Sequence, residues 1–118
     1  MEADVRAKSY AFALEVIRAA QVLQGRKEFV LSGQLLRAGT SIGANIEEAN
    51  AAQSKREFIA KMSIASKEAR EAHYWIRLLR DSGYLVTADA TDLAERCMDL
   101  VRMLTAIVKT AQQRPKAR

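Results

Sequence analysis

Arg37, Ser41, Asn45 and Glu48 follow one another at steps of four, four and three residues, and Glu68, Glu71 and Trp75 at steps of three and four. On helices, each set falls along one face. An arginine presents a planar fork of donors that matches a carboxylate or a phosphate, and an asparagine both donates and accepts. Two chemistries fit these residue types. One is a polar network between helices or subunits, in which Arg37 meets Glu68 or Glu71. The other is a ligand or phosphate site. Glu48, Glu68 and Glu71 would repel an anion, which favours the network. If the Arg37 pair is buried, its loss costs about 3–5 kcal/mol.

Catalytic and metal chemistry find less support. A di-metal centre in a helical bundle takes Glu-x-x-His from two helices and further glutamates pointing inward. The chain has one histidine, His73, and Arg70 stands where that motif needs glutamate. No nucleophile–histidine triad is legible, and no glycine-rich loop follows a strand to cradle phosphate. The reading is a non-enzyme that needs neither cofactor nor metal. Cys97 is the single cysteine and lies on an apolar stripe. It reads as a core residue of a chain without disulfides, in a reducing compartment.

Four periodic segments must position these groups. Helix 1 is expected over about residues 4–24, with Tyr10, Ala13, Leu14, Ile17 and Ala20 as its core-facing stripe and Gly25 as its stop. Helix 2 is expected over 32–51, with Leu35, Gly39, Ile42, Ile46 and Ala49 as the seam. Interior glycine costs about 1 kcal/mol relative to alanine, so Gly39 and Gly43 imply unusually close approach by another helix. The alanines of helix 3 make that helix the expected neighbour. Helix 3, over 54–82, opens on Ser54 and Glu57, a capping box. Met62, Ala65, Ala69, Ala72, Ile76 and Leu79 form its seam, and Gly83 ends it. Helix 4, over 87–112, has Thr87 as its expected cap and Leu93, Cys97, Leu100, Leu104 and Ile107 inward. Short links predict one all-α domain over 1–111, an up-down-up-down antiparallel four-helix bundle. Residues 113–118 are expected to be a basic, disordered tail.

The chain has 118 residues and a formal net charge of +5. Residues 54–82 carry Lys55, Arg56, Lys61, Lys67, Arg70, Arg77 and Arg80, and the end of the chain adds Lys109, Arg114, Lys116 and Arg118. Helix 4 is acidic, with Asp89, Asp92, Glu95 and Asp99. A basic helix and tail point to RNA or DNA, contacted through Lys55, Arg56, Lys61, Arg77, Arg80, Arg114, Lys116 and Arg118. No stretch is apolar enough to span a bilayer, and the first residues lack a signal-type apolar core. A cytoplasmic protein without a membrane partner is expected. Phe12, Val16, Ile64, Trp75 and Leu78 lie outside the expected seams. One small bundle cannot bury them all, so they form a candidate apolar interface and imply a homo-oligomer.

The run LLRAGTSIGANIEEANAAQSKREFIAKMSIASKEAREAHYWIRLL, Leu35 to Leu79, closely resembles the core of bacterial four-helix-bundle proteins related to those encoded in ribosomal RNA intervening sequences. Arg37, Ser41, Asn45, Glu48, the Ser54–Phe58 helix start, Ala65 and Glu68 stand where that family has them. The resemblance implies a cyclic homopentamer of undefined biochemical role. A related branch, the accessory variability protein of diversity-generating retroelements, is a basic pentamer that binds nucleic acid and a reverse transcriptase. Here the body is nearly neutral outside the tail, a departure from that branch. The expected role is a binding or scaffold module for RNA or DNA. The alternative is an adaptor whose ring docks a protein partner, with Trp75 and the outer apolar residues in contact.

Overall fold

The computed structural model describes residues 2–113. They form four helices, α1 (Glu2–Gly25), α2 (Phe29–Asn50), α3 (Lys55–Asp81) and α4 (Thr87–Gln113), and among the described residues there is no strand. Each helix packs on its chain neighbours, and α1 closes on α4. Cross-links give the directions. Arg6 reaches Glu47, Arg37 reaches Glu68, and Cys97 reaches the Ala69 carbonyl. Successive helices are therefore antiparallel, in an all-α four-helix bundle about 55 Å long.

Local chemistry sets the helix ends. Ser54 Oγ accepts from Glu57 N–H at 3.0 Å, while the Glu57 carboxylate accepts from Gln53 N–H at 3.2 Å. The reciprocal cap thus reaches one residue further back than the usual box. Glu28 caps α2 by accepting from Leu31 N–H at 3.0 Å, so this helix starts at Phe29 instead of Ser32. Between α1 and α2 the left-handed residue is Lys27, φ +62°, and the expected stop Gly25 remains helical. Gly83, φ +82°, ends α3 as its lack of a Cβ allows. Arg26 ties the two links at this end together: it donates to the Gly83 and Tyr84 carbonyls, and its guanidinium lies 5.0 Å from the Tyr84 ring centre.

The core corrects the reading of α1. Phe12 and Val16, expected at an interface, are buried among the main core residues, Phe12 being 1 % exposed. Tyr10, Leu14 and Ile17, expected inward, face out, and Tyr10 is 69 % exposed. The true inward stripe is Val5, Ser9, Phe12, Val16, Ala20 and Leu23. The glycine contact is also relocated. Gly39 packs on Val16 of α1, and a Cβ there would lie 2.7 Å from both Val16 methyls. Gly43 faces Ser9 of α1 at ordinary contact distance, 3.5 Å. The two glycines therefore serve the contact of α2 with α1, while α2 and α3 pack closely as expected without them.

No helix among the described residues is long and apolar enough to cross a membrane.

Candidate functional site

On the outer flank of α2 and α3, Arg37 bridges two carboxylates. Its Nη1 donates to Glu68 Oε1 at 3.2 Å, and its Nη2 to Glu71 Oε2. Trp75 Nε1 donates to the same Glu71 oxygen at 3.0 Å, its ring half-buried against the core and edge-on to Tyr74. The Glu71 carboxyl is held below the usual glutamate range, first by the Trp75 N–H and then by Arg37. Arg37 is held above its ordinary value, chiefly by its hydrogen bond to Glu71.

The rest of the stripe points elsewhere. Ser41 Oγ donates to the Ala38 carbonyl at 3.1 Å, and Asn45 Nδ2 to the Ser41 carbonyl at 2.8 Å. Both are bonds within α2, so neither side chain joins the Arg37 cluster. Glu48 pairs with Lys61 Nζ at 2.7 Å. The cluster is a carboxylate clamp that consumes its own cation, which leaves it poorly suited to an anionic ligand.

Burial decides its strength. The Arg37 side chain is 49 % exposed and that of Glu68 17 %. Water screens an exposed pair, so the cost expected for a buried one does not apply. Arg37→Ala is expected to lower stability by about 1–2 kcal/mol. Because the folded Glu71 pKa is depressed, its contribution is complete above the ordinary glutamate pKa and lost as pH falls through the folded value. Urea melts should show the gap between Arg37→Ala and parent at pH 7 closing below about pH 4. An equal gap at both pH values would refute the assignment to this pair.

Among the described residues, the predicted nucleic-acid contacts do not form one cluster. Lys55 and Arg56 lie at the start of α3, and Lys61 is occupied by Glu48. Arg77 stacks near Tyr74, its guanidinium 5.8 Å from the ring centre, and Arg80 pairs with Asp81 at 2.8 Å. Arg114, Lys116 and Arg118, and all but the first residue of the predicted 113–118 tail, lie outside the described residues. Of the predicted apolar interface, Ile64 and Leu78 are exposed and Trp75 is half-buried. Phe12 and Val16 belong to the core.

Three cations outside the predicted contacts line the seam between α3 and α4. Arg70 donates to Thr105 Oγ1 across α3 and α4 at 3.1 Å, and Arg102 and Lys109 line the same seam. Their spacing carried the signal: Arg70 and Arg77 share a face of α3, and Arg102 and Lys109 share a face of α4. Cys97 is fully buried; its Sγ lies 3.1 Å from the Ala69 carbonyl, and burial pushes its thiol up to about 12. It is inert at neutral pH. Among the described residues, no group of three or more His, Cys, Asp or Glu side chains could hold a metal ion.

Comparison with known proteins agrees with this architecture. No curated protein matches the chain. A crystal structure from Bacteroides thetaiotaomicron VPI-5482, described as a protein with unknown function from the S23 ribosomal protein family, superposes with a TM-score of 0.86. It shares 42 % identity and covers 89 % of this chain and 98 % of its own. The family model described as 23S rRNA-intervening sequence protein matches residues 1–106. With a match of that extent, the chain belongs to the 23S rRNA-intervening sequence protein family.

Proposed function

We propose that this protein is a non-catalytic module that assembles with copies of itself and holds RNA or DNA on its basic α3 side. The observation that carries the reading is the surface around α2. Tyr10, Leu14 and Ile17 are exposed and form one ridge along α1. Arg6, one turn before Tyr10, pairs with Glu47 of α2, so this ridge flanks α2. On the other flank, Ile64 and Leu78 are exposed on the α3 stripe that also carries Glu68, Glu71 and Trp75. Between the ridges, α2 presents Gly33, Thr40 and Ala44, three small residues beside Arg37.

Two apolar ridges with a low lane between them accept a ridge from another helix. A second copy of this chain supplies one. Light scattering at micromolar concentration is expected to report more than one copy. Leu14→Glu with Ile17→Glu should shift the mass to the monomer while leaving helicity unchanged. A mass of one subunit in the parent sinks the assembly reading.

The surplus of positive charge on α3 supports the nucleic-acid part, and assembly multiplies it. Affinity for mixed-sequence nucleic acid should fall steeply between about 50 and 300 mM salt. Flat or undetectable binding would leave the assembly as an adaptor for a protein partner.

A further inference from the structure

The seam between α3 and α4 carries two clefts in line. One, of about 590 Å³, is lined by His73, Arg77 and Arg80 from α3 and by Glu95, Asp99 and Arg102 from α4. The other, of about 250 Å³, has Ser63, Ser66 and Arg70 on the α3 wall and Thr105, Lys109 and Gln112 on the α4 wall. Among the described residues, no carboxylate lines the second cleft. Across both, five permanent cations face two carboxylates. One of those carboxylates, Asp99, is already paired with Arg102 at 3.0 Å, and one of the cations, Arg80, with Asp81 at 2.8 Å.

Length and shape then select the ligand class. From Ser63 to Arg80, α3 rises about 25 Å at 1.5 Å per residue. The clefts are open troughs, so a small anion would remain mostly in water. A chain of evenly spaced anions could instead touch cations on both walls along the whole length. Hydroxyls and an amide at one end supply neutral donors, which suit phosphate and sugar oxygens. Arg70 spends one N–H on Thr105 and keeps others for a ligand.

We infer that the α3–α4 seam is a track for the sugar–phosphate backbone of a nucleic acid, with Arg70, Arg77 and Lys109 as its principal phosphate contacts. This rests on the nucleic-acid reading above and relocates its centre. The contacts move away from the start of α3, where Lys61 is held by Glu48. Glu95 is the opposing charge that keeps binding weak and reversible.

His73 makes the track sensitive to pH. Arg77 and Arg80 on its own helix and Glu95, Asp99 and Arg102 across the seam are the charged groups around it. Partial burial, then the two α3 arginines, hold its pKa below the ordinary histidine value. The imidazole is thus neutral at pH 7. A phosphate in the track favours its protonated form, so binding takes up a proton and tightens as pH falls toward the lowered histidine value.

The test uses the full chain and a labelled 20-nucleotide single strand of mixed sequence, followed by fluorescence anisotropy. Arg70→Gln with Lys109→Gln should weaken binding about tenfold near 100 mM salt and reduce the salt slope by about 1.4. Glu95→Gln should tighten binding severalfold, a gain that misfolding cannot imitate. His73→Gln should remove the tightening at acid pH. If the parent binds with a steep salt dependence but the seam variants match it, the track is overturned and the broader nucleic-acid reading stands. The same holds if Glu95→Gln gains nothing. If the parent does not bind at all, both fail together.

Discussion

Phe12→Ala is expected to lower the unfolding free energy by about 3–5 kcal/mol. The ring is buried in the core, where the residues around it can collapse only partly into the space left behind. Tyr10→Ala, two positions earlier, removes a ring of similar size from an exposed site. It should change subunit stability by no more than about 0.5 kcal/mol. Its effect should appear in assembly instead. Urea unfolding followed by far-UV circular dichroism, with light scattering on the same variants, separates the two. Equal losses in both variants, or a larger loss at Tyr10, would return α1 to the opposite phase.

That contrast also shows why α1 was the one helix whose facing could not be read from its residues. Tyr10, Ala13, Leu14 and Ile17 form an unbroken apolar stripe, and periodicity alone selects it. The stripe that faces the core is interrupted by Ser9, which is buried. Its hydroxyl is satisfied locally by the Arg6 carbonyl at 3.0 Å, so its burial leaves no unpaired polar group. A core serine looks like a surface residue in sequence. The other three helices have apolar seams without that ambiguity, and their inward residues were legible. Ser32 on α2 is a similar case, buried with its hydroxyl on the Phe29 carbonyl, and it was mistaken for a helix start.

The site was legible in part for a related reason. Arg37, Glu68 and Glu71 were readable as partners because each belongs to a regular stripe beside a seam. The polar side chains Ser41 and Asn45 share that stripe, yet their nearest acceptors are carbonyls of their own helix. Short polar side chains take such local bonds before they can reach a neighbour. The α3–α4 seam was hidden because it joins residues from helices of opposite net charge. Only the packing register sets Arg70 beside Thr105 and Lys109.

The second large effect is expected at Gly39. Gly39→Ala should destabilise by about 1–3 kcal/mol despite the better helix propensity of alanine. The new methyl would lie 2.7 Å from two Val16 carbons. Val16 is β-branched and fully buried, so it has no flexible end to swing aside. α1 and α2 would have to separate along the contact. Gly43→Ala provides the control on the same helix, since its methyl would meet Ser9 at 3.5 Å or more. That variant should be neutral or gain up to about 1 kcal/mol. A lowered melting temperature for Gly39→Ala beside an unchanged or raised one for Gly43→Ala supports the assignment. A stabilised Gly39→Ala would show that the helices separate at little cost.

The order in which the helices pack has a kinetic consequence. Three of the four helix–helix contacts join neighbours in the chain, and only α1 against α4 joins its two ends. Such local topology folds in microseconds to milliseconds, because little loop entropy is lost before contacts form. The α1–α4 seam is also the most lightly packed, with clefts of about 370 and 360 Å³ along it. It is the long-range closure and is the last to repay its entropy. In the native state the same seam is the lowest barrier to partial opening. Arg26 anchors α1 to the α3–α4 link at one end only. Opening of the α1–α4 seam is therefore expected to begin away from that anchor, with Arg6–Glu47 still holding α1 to α2 and the α2–α3 pair closed.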